Sequence, residues 1–133
     1  MTRYGMNPAR DKTISYQPSR VTAAIMTYIP NLEGYFAYRL DVLKLSLESL
    51  VHSLDAKIDI VVFNNGSCAQ VREYLDLQQD QGRIDYLIHS RRNLGVIGGF
   101  KILFNAAPGE IIAYCDDDVF YYPGWLKAHL DIL

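Results

Sequence analysis

Four short apolar runs recur along the chain, and each of them ends at a turn signal. They cover residues 21–28, 58–63, 84–89 and 111–115. Apolar runs of this length that are bounded by Pro, Gly or Asn are typical of buried β-strands. The pattern therefore predicts four strands that lie in the interior of a domain.

Between these runs the spacing of apolar residues changes to that of helices. Leucines and one phenylalanine step by four and three residues, which predicts an amphipathic helix over residues 35–54. The positions on this face are Phe36, Leu40, Leu43, Leu47, Leu50 and Leu54. Ser67 followed by Gln70 resembles a capping box, so a second helix is expected from there to about residue 79. A short helix ending near residue 106 and a last helix that begins at Pro123 complete the pattern.

Strands and helices thus alternate, and this order predicts an α/β fold with a parallel sheet between helices. Ligands of open parallel sheets bind beyond the carboxyl ends of the strands. Four polar clusters fall at those ends and are expected at one edge of the sheet. They are Thr27-Tyr28, Asn64-Asn65, Ser90-Arg91-Arg92-Asn93 and Asp116-Asp117-Asp118.

Composition narrows the class of protein. The chain has 133 residues, of which 50% are hydrophobic, and a net charge of −2, so we expect one domain without a nucleic-acid-binding surface. No apolar run is long enough for a membrane span, and residues 1–20 are predicted to be a flexible arm before a domain over 21–133. Cys68 and Cys115 are too few for a disulfide framework and indicate a reducing compartment, the cytoplasm.

The three consecutive aspartates are the sharpest chemical signal. If the backbone stays extended after the fourth strand, Asp116 and Asp118 point to the same side. Adjacent carboxylates repel each other unless a cation neutralises them, and Mg²⁺ or Mn²⁺ prefers such oxygen ligands together with substrate phosphates. The pattern favours a metal-diphosphate site. A solvated acidic loop is the alternative.

The other polar clusters have two interpretations each. Asn64 either offers its amide to a nucleobase or belongs to a turn that leads into a helix. Arg91 and Arg92 are either exposed loop charges or ligands of a diphosphate, whose oxygens match a guanidinium. Three glycines in the following loop would allow close approach of an anion to a helix start; they are Gly95, Gly98 and Gly99. Three aromatic residues line an acceptor pocket or pack a helix start; they are Tyr121, Tyr122 and Trp125.

Taken together and in order, these motifs resemble inverting glycosyltransferases of family two, which have the GT-A fold. The resemblance rests on residues 109–118, a Gly-Glu-strand-Asp-x-Asp block followed by Pro123-Gly124-Trp125-Leu126. Arg92-Asn93-x-Gly95 and Asn65-Gly66-Ser67 are similar to two further segments of that family. The resemblance implies a three-layer, Rossmann-like GT-A sheet fold.

The resemblance also implies roles for individual residues. It implies a nucleotide-diphosphate sugar, compatible with UDP, as the donor and Mg²⁺ or Mn²⁺ as the cofactor. The implied donor-binding residues are Thr27, Tyr28, Asn64, Arg92, Asp116 and Asp117. Asp116 and Asp118 match the pair that binds the metal and Asp117 the variable member between them, although an alignment one residue over makes Asp117 and Asp118 the active pair.

The chain also departs from the family pattern. Asn64 replaces an acidic residue, Lys101 replaces a common asparagine, and Ile29-Pro30 interrupts a Thr-Tyr-Asn run. The family's catalytic base and acceptor-binding half lie further downstream than Leu133, so the chain is expected to be the donor-binding half of a longer enzyme.

Two other functions remain as alternatives to transfer of a sugar to a glycan, lipid or protein acceptor. A non-catalytic module that binds a nucleotide sugar or a partner would carry the same motifs without a base. A phosphotransfer enzyme with clustered aspartates is disfavoured, because its Asp-x-Asp follows the first strand and is followed by Thr or Val where this chain has Phe120.

Overall fold

Strands and helices alternate in the computed structural model, which describes residues 5–10, 12 and 14–133. The strands are β1 (Val21–Thr27), β2 (Asp59–Asn65), β3 (Tyr86–Ser90) and β4 (Ile111–Cys115). The helices are α1 (Arg39–Ser53), α2 (Ala69–Asp80), α3 (Gly95–Ala106) and α4 (Trp125–Leu130). All four predicted strands and the four helices between and after them are present.

The four strands form one parallel sheet in the order β3-β2-β1-β4. The register pairs Thr27 with Asn64, and Asn65 with Ser90, so the carboxyl ends of β1, β2 and β3 are level with one another. Cys115, the last residue of β4, pairs with Ile25 of β1. The predicted α/β parallel architecture is therefore confirmed, and the strand ends do lie along one edge.

Helices cover both faces of this sheet, because successive side chains of a strand point to opposite faces. On one face Ile25 and Val62 pack in a cluster with Leu47 and Leu50 of α1 and Leu75 of α2. On the other face a smaller cluster joins strand residues to α3; its fully buried members are Ala24, Val61, Phe63 and Leu103. Burial of each large side chain contributes about 1.5–3 kcal/mol, so the two clusters fix three layers.

Several predicted boundaries are wrong, each for a local reason. The first helix begins at Arg39 rather than at residue 35, since Gly34–Phe36 forms a separate 3-10 turn. The glycines predicted in a loop lie within α3, which begins at Gly95. The last helix begins at Trp125 rather than Pro123, because Gly124 at its N-cap has φ +93° and cannot continue a right-handed helix.

The capping box predicted at Ser67 is also absent. Cys68 is the N-cap of α2 and makes no side-chain cap. The Ser67 hydroxyl instead accepts a hydrogen bond from the backbone N–H of Ile29 at 3.0 Å. This bond ties the segment after β1 to the turn after β2.

The predicted N-terminal arm falls partly outside the described residues, at positions 1–4, 11 and 13. Three of its described residues contact the sheet, and one of them is Arg20, whose carbonyl accepts from the backbone N–H of Ile111 at 3.1 Å. The backbone N–H of Ser19 donates to Asp59 Oδ2 at 2.8 Å, and the hydroxyls of Tyr16 and Tyr86 are hydrogen-bonded to each other. Across the described part of the chain, none of the helices has the length and apolar character needed to cross a membrane.

Candidate functional site

The acidic segment after β4 folds back against the end of β1. We refer to residues 116–118 as the Asp loop. The backbone turns at Asp117 and Asp118, so the extended chain on which the same-side argument for Asp116 and Asp118 depended is not present. The Thr27 hydroxyl donates to Asp117 Oδ2 at 2.6 Å, and Arg39 Nη2 donates to Asp117 Oδ1 at 2.9 Å. Asp117 is therefore the carboxylate that points inward.

The three aspartates differ in exposure as a result. The side chain of Asp117 is 13% exposed, whereas that of Asp118 is 54% exposed and Asp116 also faces solvent. Arg39 Nη1 lies 3.5 Å from Asp118 Oδ2. Arg39, which the sequence did not single out, thus contacts two carboxylates of the Asp loop from the first turn of α1.

A row of serines on α1 holds the segment that follows the Asp loop. Ser46, Ser49 and Ser53 are spaced by three and four residues and are all buried. Ser46 Oγ donates to the carbonyl of Val119 at 2.8 Å, and Ser49 Oγ accepts from the backbone N–H of Tyr121 at 3.0 Å. These bonds seat the segment directly on the helix.

The same row shows what the aromatic residues after the Asp loop do. Trp125 Nε1 donates to Ser53 Oγ at 2.8 Å, and the Tyr121 hydroxyl donates to the carbonyl of Asp116 at 2.9 Å. Tyr121 and Trp125 therefore serve packing, the second of their two interpretations. Tyr122 remains exposed, beside the ring of Phe120 at 5.2 Å between centroids.

Burial raises the pKa of the two residues that directly precede the Asp loop. It raises the pKa of Tyr114 to about 12, with the negative charge of Asp116 as the next cause. It also raises the pKa of the Cys115 thiol to about 11. Both groups therefore stay protonated at neutral pH, and neither is a ready base or nucleophile there.

Asn64 is completely buried at the end of β2. Its Oδ1 accepts from the backbone N–H of Ser67 at 3.1 Å, and its Nδ2 lies 2.9 Å from His89 Nδ1. An amide nitrogen only donates, so His89 Nδ1 is the acceptor, and Nε2 carries the proton towards Asp76 Oδ1 at 2.8 Å. Asn64 therefore organises the turn after β2, as its second interpretation predicts, and its buried side chain has no surface open to a nucleobase.

The neighbouring Asn65 joins β2 to the start of α3. Its Oδ1 accepts from the backbone N–H of Leu94 at 2.8 Å, and its Nδ2 donates to the carbonyl of Gly95 at 3.2 Å. Gly66 follows and lies so close to the loop after β3 that a Cβ there would be 2.5 Å from the carbonyl carbon of Arg92. The ends of β2 and β3 are thus locked together.

An open basic pocket of about 710 Å³ lies beside this junction and is lined by Ser90, Arg91, Arg92 and Leu94. Both arginines are exposed, as their first interpretation predicts, and are free to meet a ligand at this edge. Tyr28, at the end of β1, is also exposed and packs edge to face on Phe36 at 6.3 Å. These side chains lie along the same sheet edge as the Asp loop.

The predicted divalent metal fits this edge only in a limited way. In the described ranges, no three or more His, Cys, Asp or Glu side chains are grouped to hold a metal ion. Asp117 has both carboxylate oxygens engaged by Thr27 and Arg39. Asp116 and Asp118 are the exposed oxygen donors, and one or two carboxylates are what Mg²⁺ usually takes beside substrate phosphates. The residues fit a site that the substrate completes.

Comparison with known families decides the classification. The profile of glycosyl transferase family 2 matches residues 35–133, about three quarters of the chain and all of the Asp loop. This chain belongs to glycosyl transferase family 2. The predictions of the family and of the Rossmann-like GT-A fold are thereby confirmed.

Solved structures with the same fold include TarS of S. aureus. Its 1–349 form matches with a TM-score of 0.66 and 17% identity, over 85% of this chain and 32% of that one. The TarS 1–349 structure in complex with UDP-GlcNAc matches with a TM-score of 0.66 and 16% identity, over 85% and 30%. This family 2 chain therefore spans about a third of the TarS 1–349 chain. No curated protein matches it.

Proposed function

We propose that the chain binds a nucleotide-diphosphate sugar at the carboxyl edge of its sheet and takes part in transferring the sugar, with inversion, to an acceptor. The hydrogen bond from Thr27 to Asp117 carries the proposal, because it joins the end of β1 to the Asp loop within a family 2 domain. Structures of TarS 1–349 with UDP and with UDP-GlcNAc support a uridine donor.

The described residues divide the work of binding. Tyr28 offers an exposed ring along the nucleoside, and Arg92 offers a guanidinium to the diphosphate. Asp116 and Asp118 would hold Mg²⁺ or Mn²⁺, which when bound stabilises the departing nucleoside diphosphate. Thr27 and Asp117 orient the loop that carries these two carboxylates. We assign no residue of this chain as the catalytic base.

The acceptor is a glycan, lipid or protein whose binding residues we do not assign. We place the reaction in a reducing compartment, the cytoplasm, and the free thiols of Cys68 and Cys115 support this. Because the chain spans about a third of the TarS 1–349 chain, the activity proposed is that of a domain to which these residues contribute.

Calorimetric titration of UDP and UDP-GlcNAc with and without Mn²⁺ tests the proposal. We expect Mn²⁺-dependent binding that Asp118→Ala weakens about tenfold, equal to about 1.4 kcal/mol. Asp131→Ala removes an equally negative but remote side chain that pairs with Lys127, and should leave the affinity unchanged. Absence of binding at millimolar ligand, or equal affinity of Asp118→Ala and the wild type, would overturn the proposal.

A further inference from the structure

Arg39 is a positively charged residue that contacts the Asp loop. It is the first residue of α1, and its side chain is only 22% exposed. Nη2 of its guanidinium donates to Asp117 Oδ1 at 2.9 Å, and Nη1 lies 3.5 Å from Asp118 Oδ2. The planar fork of arginine suits two acceptors at once, and such charge-assisted bonds are stronger than neutral ones.

Asp117 is held on its other side by Thr27, whose hydroxyl donates to Oδ2 at 2.6 Å. Both oxygens of this carboxylate are therefore satisfied within the chain. The remaining carboxylates, of Asp116 and Asp118, are more exposed. The loop thus contains one inward carboxylate with internal partners and two that face the solvent.

Three adjacent carboxylates repel one another, and the repulsion is stronger where protein excludes water. Arg39 offsets this repulsion from inside the fold. The loop is seated further by Ser46 Oγ on the carbonyl of Val119. A loop held in this way keeps its shape before any ligand arrives.

We propose that Arg39 is a positioning residue, which fixes Asp117 as an internal anchor and so presents Asp116 and Asp118 as the pair that meets a cation and a diphosphate. This inference rests on the proposed function for the identity of the ligand. It also selects between the two alignments of the Asp-x-Asp motif, because Asp117 becomes an anchor rather than a metal ligand. Removal of Arg39 releases Asp117 and leaves three uncompensated negative charges in the loop.

Two affinities should therefore move in opposite directions in Arg39→Met. Binding of Mn²⁺ alone, measured by electron paramagnetic resonance, should tighten about threefold or more, since three free carboxylates attract the ion more strongly. Binding of UDP in the presence of Mn²⁺, measured by calorimetry, should weaken about tenfold, because the loop is no longer preorganised. If Arg39 only stabilised the fold, its substitution would not raise the affinity for Mn²⁺.

Arg20→Met is the matched control. It removes the same charge from an exposed arginine that pairs with Glu110 at 3.7 Å, away from the Asp loop. Both of its affinities should equal those of the wild type. Equal Mn²⁺ affinity in folded Arg39→Met and Arg20→Met would overturn the proposal.

Arg39→Lys covers the case in which Arg39→Met does not fold. A lysine keeps the charge without the fork, so Mn²⁺ affinity should stay at the wild-type value while UDP affinity falls about threefold. Unchanged UDP affinity in Arg39→Lys would contradict the proposal. If the wild type itself fails to bind UDP, the proposed function fails, whereas the titration of Arg39→Met with Mn²⁺ alone still decides the role of Arg39.

Discussion

Gly66 lies in close contact with the backbone of the loop after β3, at the functional edge of the sheet. It has φ +84°, and a Cβ at this position would lie 2.5 Å from both the carbonyl carbon of Arg92 and the nitrogen of Asn93. The atoms in the way belong to the backbone rather than to the end of a flexible side chain. Gly66→Ala must therefore move the loop that carries Arg92.

The expected loss of stability has two parts. A left-handed φ costs a residue with a Cβ about 1–2 kcal/mol. The steric overlap with the loop adds about 1–3 kcal/mol, the usual range for overpacking a tight contact. Together they lower the free energy of unfolding by about 2–5 kcal/mol, a large part of the stability of a small domain.

Gly82 offers a matched control for this substitution. Its φ is +78°, but nothing lies within 4 Å of the position that its Cβ would take. Gly82→Ala should therefore show only the conformational part, about 1–2 kcal/mol. Urea unfolding of both variants, extrapolated to water, gives the difference that belongs to the contact.

A titration with UDP completes the test. Displacement of Arg92 should weaken UDP binding by Gly66→Ala about tenfold, while Gly82→Ala should bind as the wild type does. If the two variants lose the same stability, the close approach of Gly66 to the Arg92 loop plays no energetic role and the reasoning is refuted.

Two further predictions concern the ends of β2 and β4. Asn65→Ala leaves the backbone N–H of Leu94 without its acceptor and should lower the free energy of unfolding by about 1–3 kcal/mol. Hydrogen exchange at the Leu94 amide should become faster, and unchanged exchange would contradict this prediction. Burial raises the pKa of Tyr114 from 10.0 to about 12 and that of Cys115 from 9.0 to about 11. Because the unfolded chain loses these protons first, the contribution of the two groups to stability should be constant at neutral pH and fall as the pH rises through about 9 towards 12. Urea unfolding of the wild type and of Tyr114→Phe at successive pH values measures the part that belongs to Tyr114.

The parallel sheet could be predicted from the sequence because the patterns that indicate strands and helices are local and periodic. Four apolar runs separated by helical spacing leave little choice of fold class, and a parallel sheet brings strand ends to one edge by geometry alone. For the same reason the polar clusters that follow the strands could be placed together from the sequence alone.

The details of the site depend on where individual side chains point, which the pattern of apolar and polar residues does not show. The side-chain alternation used for the Asp loop holds only for extended backbone, and the turn at Asp117 ends it. The buried amide of Asn64 is hydrogen-bonded to His89, which lies 25 residues away. Arg39 is not one of the apolar positions that predict the first helix, so nothing marked it as a partner of carboxylates 78 and 79 positions later.

The serine row could have been found from the sequence. Ser46 lies three positions after Leu43, and Ser53 lies three positions after Leu50, so both border the face that was predicted to be buried. Ser49 lies three positions after Ser46 and four before Ser53, on the same side of the helix. A buried hydroxyl needs a partner beyond its own helix or in the turn before it. Three of them on one face indicate that another backbone segment is seated there.

The hydrogen-bond partners at this edge are separated by different numbers of residues. These separations determine which contacts can form first during synthesis. Thr27 and Asp117 are 90 positions apart, and Ser49 and Tyr121 are 72 apart, whereas Asn65 meets Leu94 after only 29. Because the chain is synthesised from its N-terminus, the contacts between the ends of β2 and β3 can form first. The hydrogen bonds between the serines of α1 and residues 116–125 cannot form until those residues have been synthesised. The acidic half of the edge is therefore the last part of these residues to become native.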